Sequence, residues 1–136
     1  MANNEYTKIL IMGKRSDVDM ALMEIPLNIA DVSYVSIEGE QKFICIETEC
    51  RWGAYREFKI YNNPCILETA TKDRDINIYV TCESMEFAHT EKYEFSCGNK
   101  RYQKFEPWGE PDYEDGFNPY DEEYEGECEG FNNLPF

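Results

Sequence analysis

The chain opens with a predicted strand and a short predicted helix. Apolar and β-branched residues dominate residues 6–13 (YTKILIMG), and this run ends on a glycine, which is typical of a strand. Residues 16–23 favour a helix that Ser16 or Asp17 would cap. Pro26 predicts its end, because proline lacks the N–H donor and disfavours helix in the preceding residue.

Residues 31–52 predict a β-hairpin. Val32, Tyr34 and Ile37 nearly alternate with polar residues, and the sequence EGEQ at 38–41 supplies the turn. In the second strand the two predicted faces are Phe43, Cys45 and Glu47 on one side and Ile44, Ile46 and Thr48 on the other. Cys45 is therefore interpreted as a small core residue.

The middle of the chain is ambiguous, and its last third is again typical of strands. Helical spacing relates Ala54, Tyr55, Phe58 and Tyr61, and the stop signal NNP follows at 62–64. Residues 64–72 fit either a short helix or a strand. Residues 75–105 predict two or three strands from the alternation of Ile76, Ile78 and Val80 and then of Tyr93, Phe95 and Cys97, with a tight turn at 97–100 (CGNK).

This order of elements predicts an α+β fold, an antiparallel sheet with one or two short helices on one face. The simplest such arrangement is the ferredoxin-like βαββαβ motif. We expect a domain at residues 1–105 and an acidic, aromatic-rich C-terminal segment at residues 106–136. The predicted core residues are Ile9, Ile11, Val35, Ile37, Ile44, Ile46, Trp52, Phe58, Ile76, Ile78, Val80, Tyr93 and Phe95.

Negative charge is concentrated near the C-terminus. The net charge is −15, and residues 106–130, here called the acidic segment, hold 11 of the 28 acidic residues and no lysine, arginine or histidine. Proline and glycine recur every few residues there, which predicts irregular structure. Blocks of like charge usually act as interaction tails, and the aromatic rings between these acids favour burial in a partner.

Three stretches resemble a known family. Residues 1–13 (MANNEYTKILIMG), 46–58 (IETECRWGAYREF) and 85–99 (MEFAHTEKYEFSCGN) are similar to segments of YubB-like ferredoxin-fold proteins carried by plasmids and phages. The likeness spans residues 1–103. It implies a gene on a mobile element and implies no catalytic residues.

Motifs for catalysis, cofactors or metals are weak. His89 stands seven residues after Cys82 and eight before Cys97, without the close-spaced pair that is usual in zinc sites. Residues 112–123 resemble an EF-hand loop only superficially, because Gly116 falls at position 5 rather than 6. The sequence GKRS at 13–16 lacks the upstream glycine of a phosphate loop. We therefore predict no enzyme, no cofactor and no metal site, and a His89 that is hydrogen-bonded or exposed.

The charge also limits the partners. A nucleic-acid ligand or an anionic membrane requires a basic patch, and no apolar run approaches the 18 residues of a membrane span. The start of the chain lacks the pattern of a signal peptide. We expect a cytoplasmic protein, in the host cytoplasm if phage-encoded, with reduced cysteines.

Two functions remain open. The first is an inhibitor that mimics nucleic acid and binds the basic surface of a nucleic-acid-binding host defence enzyme, by analogy with anti-CRISPR and anti-restriction proteins of similar charge and size. The alternative is a non-enzymatic structural or regulatory binding module whose acidic tail only solubilises it. The predicted partner-binding residues are Trp108, Asp112, Tyr113, Glu114, Asp115, Phe117, Tyr120, Asp121, Glu122, Glu123, Tyr124, Glu125 and Glu127.

Overall fold

The computed structural model describes residues 4–26, 30–51, 53–60, 64–84 and 88–107. In these ranges the chain forms one antiparallel sheet of six strands and three short helices. The strands are β1 (Asn4–Lys14), β2 (Ala30–Glu38), β3 (Gln41–Arg51), β4 (Ile76–Ser84), β5 (His89–Ser96) and β6 (Asn99–Pro107), and the helices are α1 (Arg15–Glu24), α2 (Ala54–Glu57) and α3 (Ile66–Thr71). The predicted α+β class is confirmed, but the structure has three short helices rather than the predicted one or two.

The sheet order is β2-β3-β1-β4-β5-β6, and every neighbouring pair is antiparallel. β1 is central and pairs with β3 on one side and β4 on the other. Strands β2 and β6 therefore form the two edges. Among the described residues, no helix has the length and apolar character needed to cross a bilayer.

The main core lies between the sheet and the helices. Helix α1 packs on β1 and β3, and α3 packs on β4, β5 and β6. The predicted core residues that the structure finds buried there are Ile9, Ile11, Ile44, Ile46, Phe58, Ile76, Ile78, Val80, Tyr93 and Phe95. The opposite face carries a smaller cluster of Leu10, Cys45 and Tyr79. The burial of Cys45 confirms its interpretation as a core residue.

Two predicted core residues on β2 are not in the core. Val35 is 46% exposed and Ile37 is 44% exposed. A register shift between Val32 and Tyr34 places Val32 and Val35 on the same face as Ile46 and Ile44 of β3. This face points toward the helix layer, but the edge strand is left largely uncovered. Trp52, also predicted as core, lies outside the described residues.

The helix boundaries differ from the predicted ones. The N-cap of α1 is Lys14 rather than Ser16 or Asp17, because β1 continues directly into the helix. Helix α2 ends at Glu57, so it is shorter than the helical spacing in the sequence predicts. Beyond its end, Lys59 has a positive φ of 53°, which is not helical. The ambiguous residues after Pro64 form helix α3, whose start is capped by Cys65 Sγ accepting the Glu68 N–H at 3.4 Å.

The last third of the chain forms three strands, β4, β5 and β6. The prediction that Cys97 continues the alternation of Tyr93 and Phe95 is wrong. Cys97 is exposed and belongs to the β5–β6 turn rather than to the strand. Cys97 and Gly98 both have positive φ, of 52° and 77°, which is typical of a tight hairpin turn. Strand β6 then runs to Pro107.

Candidate functional site

The sequence-predicted partner-binding residues, from Trp108 to Glu127, all lie outside the described residues, but the start of the acidic segment is described. Its first acid, Glu106, is in β6 and pairs across the sheet with Thr90. The carboxylate of Glu106 lies 3.2 Å from Lys92 Nζ and 3.7 Å from Lys104 Nζ. Pro107 pairs with His89. The acidic segment therefore continues from the end of the sheet at which β5 begins.

At this end, the face of the sheet away from the helices carries a shallow groove of about 280 Å³. We call it the open-face groove. It is lined by Tyr6, Lys8, Thr81, Glu83, Thr90, Lys92 and Glu106. Lys8 Nζ lies 5.8 Å from the centre of the Tyr6 ring, and Tyr6 donates a 2.5 Å hydrogen bond to Glu47 Oε1. The groove thus combines both signs of charge with one aromatic ring.

The helix-side face of the same strands buries two carboxylates and a thiol, which we call the acid–thiol cluster: Glu5, Cys82 and Glu91. Glu5 is 3% exposed, Glu91 is 4% exposed and Cys82 is fully buried. Strand pairing brings them together, because Cys82 lies opposite Glu91 on β5 and opposite Thr7 on β1. One ligand atom from each of the three residues lies within 4.8 Å of the other two.

Hydrogen bonds hold the cluster in place. Ser84 Oγ donates to Glu5 Oε1 at 2.9 Å, and Cys82 Sγ lies 3.6 Å from Glu5 Oε2. Thr7 Oγ1 lies 3.2 Å from Cys82 Sγ. The backbone N–H of Ala54, at the start of α2, donates to Glu91 Oε2 at 3.2 Å. Three strands and one helix start therefore position the polar atoms.

Burial dominates the electrostatics of the cluster. Burial, together with a smaller effect of the like charge of Glu5, raises the pKa of Glu91 to about 7, against opposing effects of hydrogen bonds from Cys82 and the α2 backbone. Burial also raises the pKa of the Cys82 thiol. A thiol shifted in that direction is a poor nucleophile, so the cluster does not resemble the environment of a catalytic cysteine.

Gly53 allows the carboxylates to lie against the backbone. It has a φ of +89°, and a Cβ atom built there would lie 2.8 Å from Glu5 Oε2 and 3.0 Å from Glu91 Oε2. Any other residue at this position would push against both carboxylates. The glycine thus leaves one side of the carboxylate pair without a side chain.

His89 lies beside the cluster. Its ring is half-buried, packs edge-on against Phe105 with centroids 5.7 Å apart, and places Nε2 4.0 Å from Glu91 Oε1. Burial lowers the pKa of His89, which favours the neutral imidazole at neutral pH. Neutral His89 therefore contributes no full positive charge to balance the two carboxylates.

This cluster was not predicted from the sequence, because Cys82 and His89 lack the close spacing that is usual in metal sites. The positions of two acids along their strands could have indicated it. Glu91 lies two residues before Tyr93 and four before Phe95, so it shares their core-facing side of the strand. Glu5 has the same relation to Ile9 and Ile11 on β1. An acid at a core-facing position needs a partner, a proton or a cation.

Comparison with family models, curated proteins and solved structures finds no match for this chain.

Proposed function

We propose that this protein is a non-enzymatic inhibitor, of the anti-CRISPR or anti-restriction kind, that binds a basic nucleic-acid-binding surface of a host defence protein. The acidic segment, with the predicted partner-binding residues between Trp108 and Glu127 as contacts, is the binding element. The observation that carries this proposal is the segregation of charge: 11 acids without one base follow each other in residues 106–130. Such a block suits the groove that DNA, with one charge per about 1.7 Å, otherwise occupies.

The aromatic rings give the segment a second role besides charge. Trp108 and Tyr120 are spaced among the acids, and buried aromatic anchors carry a large share of binding energy in protein interfaces. The carboxylates accelerate encounter with a basic surface, because complementary charge steers association. Charge thus brings the partners together, and the rings slow their separation.

The sheet supplies a rigid support for this segment. The order β2-β3-β1-β4, with α1 between β1 and β2 and with α2 and α3 between β3 and β4, supports a ferredoxin-like framework. The hairpin of β5 and β6 extends it, and the acidic segment starts on the last strand. This arrangement is consistent with the resemblance to YubB-like proteins and with a mobile-element origin.

Edge strand β2 favours a second candidate function, a regulatory module that binds its partner through the folded domain. Val32 is 58% exposed and Tyr34 is 54% exposed, on a strand whose outer edge is not paired within the described sheet. An extended segment of another protein could add to such an edge as a further strand. In this case the acidic segment only solubilises the protein.

A competition experiment tests the first proposal. Purified CRISPR effectors and restriction enzymes are loaded with fluorescent duplex DNA, and the full-length protein is titrated in while DNA release is followed by anisotropy. We expect DNA displacement that weakens steeply as salt rises, because exposed charges are screened beyond about 10 Å at 0.1 M salt. Failure to displace DNA from any of these enzymes at low salt would contradict the proposal.

A matched pair of charge variants locates the active surface. In the test variant Asp121, Glu122, Glu123, Glu125 and Glu127 are replaced by their amides; in the control the exposed acids Asp31, Glu38, Glu40, Glu49 and Glu57 are replaced in the same way. Both variants lose the same charge. A tail-mediated function requires that only the test variant lose displacement, by about tenfold or more. Equal losses of DNA displacement in the two variants would mean that only net charge matters. A further variant replaces Tyr34 and Val35 on β2. If only this variant loses displacement, the β2 candidate is favoured.

A further inference from the structure

We propose that Glu5, Cys82 and Glu91 form a binding site for a divalent transition-metal cation of the zinc class. This site is separate from the partner-binding role of the acidic segment, and it departs from the sequence-based expectation of no metal. Three neighbouring strands, β1, β4 and β5, each supply one buried side chain to this site.

The geometry is close to that of a metal site. A cation bound by oxygen at about 2.1 Å and by sulfur at about 2.3 Å needs donor atoms roughly 3.5 Å apart. Cys82 Sγ already lies 3.6 Å from Glu5 Oε2, and the complete set of three donors lies within 4.8 Å. Small rotations of the Glu5 and Glu91 side chains would close the remaining distance.

A bound cation would also balance the charge of the cluster. Two carboxylates that are almost wholly buried repel each other at this separation, and desolvation adds to the cost of ionising both. His89, the only histidine in the chain, places Nε2 4.0 Å from Glu91 Oε1. A divalent ion would neutralise the pair directly.

The donor types select the metal. Thiolate and imidazole suit zinc and similar ions, whereas magnesium and calcium favour sites made entirely of oxygen. Thr7 and Ser84 form the surrounding shell, since each places its hydroxyl within hydrogen-bonding distance of a proposed ligand. Gly53 lets both carboxylates approach the backbone, since a Cβ atom there would lie 2.8 Å from Glu5 Oε2 and 3.0 Å from Glu91 Oε2. The ligands are thus oriented from several sides.

The test uses the metal alone as a probe. Untagged full-length protein is stripped with a chelator and titrated with Co²⁺, which accepts the same ligands as zinc and reports a bound thiolate by near-ultraviolet charge-transfer absorption. We expect this absorption to saturate at one equivalent, to disappear on addition of Zn²⁺ and to persist in excess Mg²⁺. A wild-type titration without thiolate absorption overturns the proposal.

Cysteine variants assign the site. Cys82→Ser should abolish the absorption, whereas Cys97→Ser and Cys128→Ser should leave it unchanged. Cys128 is the critical control because acids surround it in the acidic segment, where they could hold a metal. Absorption that survives Cys82→Ser, or that vanishes in Cys128→Ser, would place the metal elsewhere and overturn the proposal.

A carboxylate variant keeps the test decisive if Cys82→Ser fails to fold. Glu91→Gln preserves the shape of the side chain, and circular dichroism checks that the variant is folded. It should weaken Co²⁺ binding by at least about tenfold, because even outer-shell changes at metal sites cost about that much. Unchanged affinity in folded Glu91→Gln would contradict the assignment.

Discussion

Cys82 Sγ lies 3.6 Å from Glu5 Oε2, although 77 residues separate the two in the chain. The contact exists because β1 and β4 are neighbours in the sheet and because both side chains project toward the helices. It joins a fully buried thiol to a carboxylate that also accepts a hydrogen bond from Ser84. The order of the strands therefore brings these polar side chains together in the interior at this end of the sheet.

We expect the stability of the metal-free protein to fall as pH rises through neutrality. The pKa of Glu91 is about 7 in the folded state, above its ordinary value of 4.5, so protonated Glu91 favours folding. This contribution is fully present below about pH 4.5 and is lost as pH rises through about 7. The free energy of unfolding should drop by up to about 3 kcal/mol over this range. Urea denaturation at several pH values measures it.

The matched variants for this pH dependence are Glu91→Gln and Glu49→Gln. The amide introduced by Glu91→Gln would stay neutral at every pH, so the Glu91 contribution to the slope should vanish. Glu49 is an exposed acid on β3, and its substitution should leave the slope unchanged. A slope that is equally steep in Glu91→Gln and in the wild type would contradict the role of Glu91.

Gly53→Ala should destabilise the fold more than Gly39→Ala. Both glycines have positive φ, +89° and +59°, so both substitutions incur backbone strain on the order of 1–3 kcal/mol. At Gly39 no heavy atom lies within 4 Å of the new Cβ, whereas at Gly53 the Cβ would meet the Glu5 and Glu91 carboxylates. Thermal and urea unfolding of the two variants gives the comparison. Equal destabilisation would mean that the carboxylates yield at little cost.

Val35 and Ile44 face each other across β2 and β3, yet their truncations should differ widely. Ile44 is 5% exposed and belongs to the main core, whereas Val35 is 46% exposed. Ile44→Ala should cost about 2–4 kcal/mol, since it removes buried methyl groups and leaves a cavity, and Val35→Ala should cost less than about 1 kcal/mol. Chemical denaturation of the two variants measures the difference. A large loss for Val35→Ala would indicate that β2 is covered in solution, as by a second copy of the chain.

The sequence was sufficient to predict much of the sheet. Alternation identified Ile76, Ile78 and Val80, because a strand that is buried on one face leaves a period of two in its residues. It failed at Val35, because periodicity reports a face of a strand but not whether a helix covers that face. The register shift after Val32 is also set by pairing with β3 and not by the residues of β2 alone.

The acid–thiol cluster was harder to predict than the strands. Its members come from β1, β4 and β5, so their proximity depends on a strand order that local propensity does not encode. The hairpin registers that align Cys82 with Glu91 could be anticipated once the turns were known. The pairing of Thr7 with Cys82 could not, since the chain between them passes through several other strands and helices.

We expect residues 1–107 to fold without the C-terminal segment. The β-branched runs and most of the predicted core residues of the sequence lie before residue 106, whereas proline, glycine and acidic residues dominate the stretch that follows. A chain ending at Pro107 should unfold in one cooperative transition by calorimetry and circular dichroism. A chain ending at Gln103 is the control, since it lacks the buried Phe105 and should be less stable. A non-cooperative melt of the 1–107 chain would show that the segment is required for folding.

The partner-binding proposal makes a kinetic prediction that separates charge from aromatic anchoring. Replacing Asp121, Glu122, Glu123, Glu125 and Glu127 by their amides should mainly slow association, because long-range attraction acts before contact forms. Trp108→Ala or Tyr120→Ala should instead mainly accelerate dissociation, with a loss of about 2 kcal/mol for a buried anchor.

Surface plasmon resonance against a defence enzyme that passes the displacement test, at about 0.05 M and 0.3 M salt, resolves the two rates. Leu134→Ala, outside the acidic segment, is the control and should change neither rate. If removal of residues 108–136 alters neither rate while the remaining domain stays folded, the acidic segment only solubilises the protein and the binding surface must lie on the sheet domain.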